Sequence, residues 1–351
     1  FIINLNDSYS SDDRLGVSNE DLLADPIYPS GTNFSDIRQA IVSAHDGDTI
    51  FLKNLTYTGS GSEIVVDKQV TIVGGFSLDD GLMATLNARN LSQIFIISAD
   101  NVVLRNINFN YGNSAVDGGA IYWTGKNGNM SYCNFFNNTA MTYGGAVYWN
   151  SLNGNVANVI FTDNAAKDDT SYDYGGGAIY WKAANGKLSN AKFINNYARR
   201  GGAVYWVADN SNLNSIEFTN NTGWFGAALY WWGKYGKLSY SNFTNNSGDK
   251  GGTGGAFYID QRGSYHDVSY CNFVNNSAVK VENGLGGGAI AWYATYGNLS
   301  FSNFTENHVN FAAGAVLWNG NYGNLWNCTF YKNYADGYAK SSYSGSLYKI
   351  S

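Results

Sequence analysis

Gly118-Gly119-Ala120-Ile121-Tyr122-Trp123 decides the fold, because the chain writes it repeatedly. It returns as Gly144-Gly145-Ala146-Val147-Tyr148-Trp149, Gly176-Gly177-Ala178-Ile179-Tyr180-Trp181 and Gly201-Gly202-Ala203-Val204-Tyr205-Trp206. Looser copies surround Ala228, Ala256, Ala289 and Ala315, and a last one starts at Gly345-Ser346-Leu347-Tyr348. A second phrase alternates with the first: Phe135 with Asn137-Asn138, Phe193 with Asn195-Asn196, Phe218 with Asn220-Asn221. Successive Ala positions lie 25 to 33 residues apart, and a period in that range means stacked copies of one structural unit.

A unit of this length is too short for a four-stranded propeller blade and lacks the Leu-x-x-Leu of a leucine-rich repeat. It fits one coil of a parallel β-helix, two or three short strands joined by corners, each pairing with its copy one coil above. Composition agrees. Of 351 residues 42 are Gly and 2 are Pro, and both prolines, Pro26 and Pro29, precede the first repeat. A ladder paired on both edges uses every backbone N–H, so it excludes proline. The fourth position of the first phrase is always aliphatic or Phe, which points it inward and turns the following Tyr outward by period-2 alternation. Stacked Asn138, Asn164, Asn196 and Asn221 read as a structural ladder at a corner, supplying the left-handed conformation needed there.

The parts fall in order. Residues 1–32 form an acidic arm. Residues 33–47 hold a helix, with Ser35 as expected N-cap, Ile37, Ala40, Ile41 and Ala44 on one face, and Gly47 as the stop. Its place ahead of a strand array suits a cap over the first coil. Residues 48–351 form the β-helix, irregular to about residue 111. The chain begins at Phe1 and breaks off inside a repeat, which reads as a mature or excised segment.

Net charge of −6 lacks the basic stripe that nucleic acid requires, and no apolar run is long enough for a membrane helix. Cys133, Cys271 and Cys328 share one small-residue column. Two rungs separate the last pair, about 9–10 Å at roughly 4.8 Å per rung, so all three are expected as free thiols.

Alternation of Gly-Gly-Ala-Ile/Val with Phe-x-Asn-Asn resembles two families, the repeats of chlamydial polymorphic outer-membrane proteins and the adhesin-like surface proteins of methanogenic archaea. The resemblance covers about 33–351. It implies an extracellular, cell-surface right-handed parallel β-helix of the pectin-lyase-like kind, with adhesive or envelope function, and it transfers no binding residues.

The residues themselves argue against catalysis. Glycoside hydrolases need facing carboxylates, polysaccharide lyases a Ca²⁺ cage beside a basic residue, and no column repeats Asp or Glu. No cofactor is expected, and Asp168, Asp169 and Asp173 form only a weak candidate for a metal. Binding is better supported. Tyr122, Tyr148, Tyr180, Tyr205, Tyr230 and Tyr258 make a candidate aromatic ladder facing outward, suited to glycans or proteins of neighbouring cells or the envelope. Longer coils insert residues on one side, which marks Asp168, Asp169, Tyr172, Asp173, Tyr174, Lys280 and Glu282 as candidate binding loops. Asn54, Asn90, Asn129 and Asn303 are candidate glycosylation sites, with Asn137 and Asn242 as further sequons. The alternatives are a filament or layer subunit, a homopolymer joined end to end, and, third, a polysaccharide lyase or glycoside hydrolase.

Overall fold

A computed structural model describes residues 26–76, 81–168, 170–171, 173–248, 252–278, 286–310 and 312–336, with the backbone of 345–349. Residues 1–25, Asp169, Tyr172, the Lys250 region and the loop bearing Lys280 and Glu282 lie outside the described residues.

The chain is a parallel β-helix of about ten turns. One helix, α1 (Phe34–Ser43), precedes it and buries Phe34, Ile37, Ala40 and Ile41 against the first coils. The expected face is right, but the expected ends are not. Asn33 is the N-cap, and its backbone N–H donates to the Asp36 carboxylate at 2.8 Å. The helix stops at Ala44 rather than Gly47, and Lys68 donates to the carbonyls of Val42 and Ala44 at 2.7 and 2.6 Å, a cation set against the negative end of the helix dipole.

Each regular coil visits three sheets. Ile121–Trp123 pairs in register with Val147–Trp149, within a 12-stranded sheet. Asn129–Ser131 and Asn134–Phe136 belong to a 19-stranded sheet, and Thr139–Ala140 to a short third one. Left-handed residues separate these strands every five positions, as at Asn127 (φ 56), Tyr132 (φ 53) and Asn137 (φ 53). Each one resets the inward–outward alternation, so Met130, Cys133, Phe135 and Asn138 all point in and are buried. The left-handed corner is therefore Asn137 and its equivalents, one residue before the column expected to adopt it.

Asn138 and its copies as far as Asn307 are inside, wholly buried. Each carboxamide donates to the Oδ1 of the next coil, Asn196 to Asn221 at 3.0 Å and Asn221 to Asn246 at 3.0 Å. Its second N–H reaches a Phe carbonyl, Asn221 to Phe193 O at 2.9 Å. Its Oδ1 also accepts the backbone N–H of the preceding Asn, Asn196 N at 2.9 Å. A buried amide left without these partners would cost about 1–3 kcal/mol per group. Gly-Gly has an equally tight reason. Gly144 has φ +64, and a Cβ on Gly145 would lie 2.1 Å from the carbonyl oxygen of Gly177.

Core volume is shared between two columns. A Cβ on Gly128, Gly154 or Gly236 would lie within 2.1–2.4 Å of the indole of Trp123, Trp149 or Trp231. One coil carries Ile259 in the Trp column, and there the Gly column carries His266, whose ring packs 5.0 Å from that of Trp231. An imidazole thus fills the space an indole fills elsewhere. Neither ring nitrogen has a hydrogen-bond partner, and burial pushes its pKa down to about 3.

Two outcomes follow from these columns. Asn221→Leu should lower stability by about 3 kcal/mol or more, seen as a shifted denaturant midpoint, because it strands donors on Asn196 and the carbonyl of Phe193. The unfolded chain protonates His266 near pH 6.5 and the folded one resists until about pH 3. Its stabilising share is therefore full above pH 6.5 and drains as pH falls toward 3, by about 1.4 kcal/mol per unit. His266→Phe should flatten the loss of thermal stability between pH 6.5 and 4.

Candidate functional site

The inward–outward parity of the first strand is as expected. Ile121 and Trp123 are in the core and Tyr122 is turned out of it. The tyrosines form a continuous outer row, stacked at Tyr122–Tyr148 and Tyr148–Tyr180 with centroids 4.9 and 5.3 Å apart, and edge-to-face at Tyr180–Tyr205 and Tyr205–Tyr230 at 5.1 and 4.8 Å. An open strip, however, is not what the structure shows. Tyr205 is 1% exposed and Tyr230 2%, Tyr148 and Tyr180 are also buried, and only Tyr122 and Tyr258 are half-buried.

The cover comes from both sides of the strand. Tyr143, Phe225 and Arg200 arrive from the corner before it, Val207 and Trp232 from the corner after. Tyr143 lies 4.3 Å from the ring of Tyr180, and Tyr174, on the inserted loop, packs edge-on against Tyr143 at 5.2 Å. Asp173 of that loop pairs with Arg200 at 3.1 Å. Tyr174 and Asp173 of the inserted loop therefore lie on the same side as the ladder and add to its cover. Asp168 is half-buried and accepts hydrogen bonds from Thr170, which lower its pKa. It and Asp173 thus serve different partners.

The charges over the ladder are neutralised within the protein. Arg262 grips the buried Asp260 through Nε at 2.7 Å and Nη2 at 2.8 Å, and stacks on Trp232 at 3.3 Å. Tyr230 donates its hydroxyl to the same carboxylate. Burial alone would raise the Asp260 pKa, but these hydrogen bonds outweigh it and hold it low. Burial also pushes Tyr143, Tyr148 and Tyr205 up to about 12. Every feature of this face is that of a packed second core.

Exposed aromatics stand elsewhere, in two columns the repeat phrases did not single out. Both are left-handed corners of the 19-stranded sheet. In the first half of the array the earlier corner is Asn101, Asn127, Asn153 and Asn185, an asparagine ladder with amide links of 3.0 Å. From the fifth regular rung onward the same column reads Tyr235, Tyr265, Tyr296, Tyr322, stacked at 5.1, 4.9 and 4.9 Å. The next corner reads Asn106, Tyr132, Asn158, Asn190 and Ser215 in the earlier coils, then Tyr240, Tyr270 and Phe301, stacked at 4.9 and 5.0 Å, and Asn327 in the last. Tyr235, Tyr240, Tyr265 and Tyr270 are 46–59% exposed. Between the rows lie Ser239 and Ser269, with Lys237 beside Asp267; outside the second row runs an exposed amide ladder, Asn242–Asn272–Asn303, linked at 2.9 Å.

Stability alone does not select these rings. A bulky residue held left-handed costs about 1–2 kcal/mol, whereas an aromatic stack contributes about 0.5–1.5 kcal/mol, and seven strained residues share five stacks. Asparagine holds the same corners at less strain. The sequence signal was available: Tyr and Phe five residues apart, recurring where other coils carry Asn.

Of the sequons, Asn54, Asn90 and Asn303 are exposed and Asn129 is half-buried. The amide of Asn303 already donates within the ladder. Cys133 and Cys271 are buried free thiols and Cys328 a half-buried one. Among the described residues, no helix is long and apolar enough to cross a membrane, and no group of three His, Cys, Asp or Glu residues could hold a metal ion.

Comparison with known proteins bears on the fold. The repeat of the Chlamydia polymorphic membrane protein matches residues 158–180, a stretch that contains both repeated phrases. The surface protein and adhesin PfbA of Streptococcus pneumoniae has a similar structure, with a TM-score of 0.54 and 15% identity over 90% of this chain and 96% of that one. Pectate lyase Pel9A is more distant, with a TM-score of 0.43 and 14% identity over 86% of this chain and 72% of its own. No curated protein matches the chain. At these identities the likeness is one of fold, a solenoid shared with a surface adhesin.

The two aromatic systems should respond differently to substitution. Tyr205→Ala removes a buried ring and should cost about 3 kcal/mol or more. Tyr265→Asn installs the residue that other coils carry and should leave the denaturant midpoint within about 0.5 kcal/mol of wild type.

Proposed function

We propose that this chain is a segment of a non-enzymatic cell-surface adhesin or envelope protein, extracellular, binding glycans or proteins of neighbouring cells through the outer wall of its C-terminal coils. The observation that carries the reading is the run of exposed, stacked Tyr and Phe in two corner columns where most other coils carry asparagine, at a cost in backbone strain. Large aromatics held at water-facing positions where a cheaper residue serves are a mark of a contact surface. Tyrosine adds an apolar ring and a hydroxyl with little rotamer freedom to lose. Similarity to a polymorphic membrane protein repeat and to a surface adhesin supports the same setting.

The binding surface differs from the one the repeated phrase suggested. Tyr148, Tyr180, Tyr205 and Tyr230 stabilise the solenoid, and partners meet the chain on another wall. An end-to-end filament is disfavoured by α1, which covers the core of the first coil, and by bridges from Ile27 and Asn33 to the strands below them. Against a lyase or hydrolase stands the pairing of Asp173, Arg200, Asp260 and Arg262 among themselves and with tyrosines.

Adhesion to immobilised cell walls, mucins and extracellular proteins tests this. Wild type should be retained on at least one surface, and the combined Tyr265→Asn, Tyr270→Asn, Tyr296→Asn variant should lose most of that retention with an unchanged unfolding midpoint. Equal retention of the two proteins would move the contact off this wall.

A further inference from the structure

We infer that the two aromatic rows form a site for an extended, uncharged polysaccharide lying parallel to the solenoid axis. This rests on the adhesin reading and names its ligand class.

Ring geometry comes first. Neighbouring rings in each row are nearly parallel, with interplanar angles of 7–12° in the stacks Tyr265–Tyr296 and Tyr296–Tyr322, and centroids 4.9 Å apart. Carbon atoms in contact sit about 3.5–4.0 Å apart, so rings with this centroid spacing must be slipped sideways like stairs. Each ring is therefore covered by its neighbour only in part, and Tyr265 and Tyr296 stay 48% and 45% exposed. A staircase of this kind accepts a flat apolar face at every step. The first row has three steps of 4.9–5.1 Å, about 15 Å in all. A rung of about 4.8 Å is close to the advance of one sugar in an extended chain, so a polymer can meet equivalent groups on successive rungs. An extended peptide, with residues about 3.3 Å apart and alternating faces, falls out of step.

Polar groups have the same period. Hydroxyls of Ser239 and Ser269 lie between the rows, and amides of Asn242, Asn272 and Asn303 flank the second row. Such groups serve sugar hydroxyls as both donors and acceptors. Charge argues for an uncharged ligand. Lys237 is in register with Asp267, and Glu306 lies 3.8 Å from Lys332, so local charges cancel in pairs. An anionic polymer would find no unbalanced cation row to bind along.

Calorimetric titration of the whole chain with neutral β-linked oligosaccharides of two to eight units tests the assignment, with a sulfated polysaccharide and a panel of extracellular proteins as comparisons. Affinity should rise with length to about four units, the number of rungs in the first row at roughly 4.8 Å each, and then level off. It should change less than twofold between low and high salt. Tyr265→Asn with Tyr296→Asn should weaken the tetramer at least tenfold while the unfolding midpoint holds, whereas Lys182→Ala, over the buried ladder, should leave it unchanged. Preference for the sulfated polymer with steep salt dependence, or affinity independent of length, would overturn the assignment. Binding only to proteins, lost in the same tyrosine variants, would also overturn it but keep the adhesin reading. Adhesion of any kind that survives those variants would remove both.

Discussion

In-register parallel stacking is the constraint on which everything else depends. Within the strands, backbone N–H and C=O groups pair with the coil above or below, as in the run Ile121–Val147–Ile179–Val204. A residue therefore meets its own copies on both sides, and a column succeeds only with a side chain that tolerates itself at about 4.8 Å. Asparagine inside does so because one carboxamide can donate to the next and accept from the last. Gly-Gly does so because the backbone of adjacent coils comes too close for any Cβ. Phe does so by stacking, as at Phe135–Phe161, 4.5 Å apart.

The same constraint couples columns within a rung. The Trp indole lies over the Gly five residues on, and where Ile259 replaces the indole, His266 replaces the Gly. Volume is conserved although chemistry is not, as close packing requires. The exchange puts an ionisable ring with no hydrogen-bond partner into the core. A repeat protein can carry such a coil because neighbouring rungs hold it in register.

Outward columns are released from this packing, and function has room there. On the wall of the 12-stranded sheet that freedom has been given up, since Tyr143, Trp232, Arg200 and the Asp260–Arg262 clamp seal the tyrosines beneath them. On the wall of the 19-stranded sheet, Tyr and Phe replace most corner asparagines over three or four successive C-terminal coils while the strands between keep their pattern. The scaffold is unchanged and its surface is not, which is how one solenoid presents different walls along its length.

The fold was legible in the sequence because repetition reports it directly. Period, the Gly-Gly opening, the apolar column after Ala and the lack of proline each follow from local stacking. So did the capping helix face and the inward–outward parity of Ile121, Tyr122 and Trp123. Helix ends were misjudged by two or three residues, and at the N-terminus Asn33 and Ser35 both make credible caps, with only Asp36 reaching back to Asn33 to decide between them. The site was much less legible. Alternation shows that Tyr205 leaves the core, but not that Phe225 and Trp232, from the next turn of the chain, fold down over this face together with Arg200. Nor does a lone Tyr at position 265 declare itself until Tyr235, Tyr296 and Tyr322 are brought beside it. Which residues point out is a property of the strand and can be read from order along the chain. Which of them remain in water depends on residues distant in sequence, and only the tertiary structure decides it.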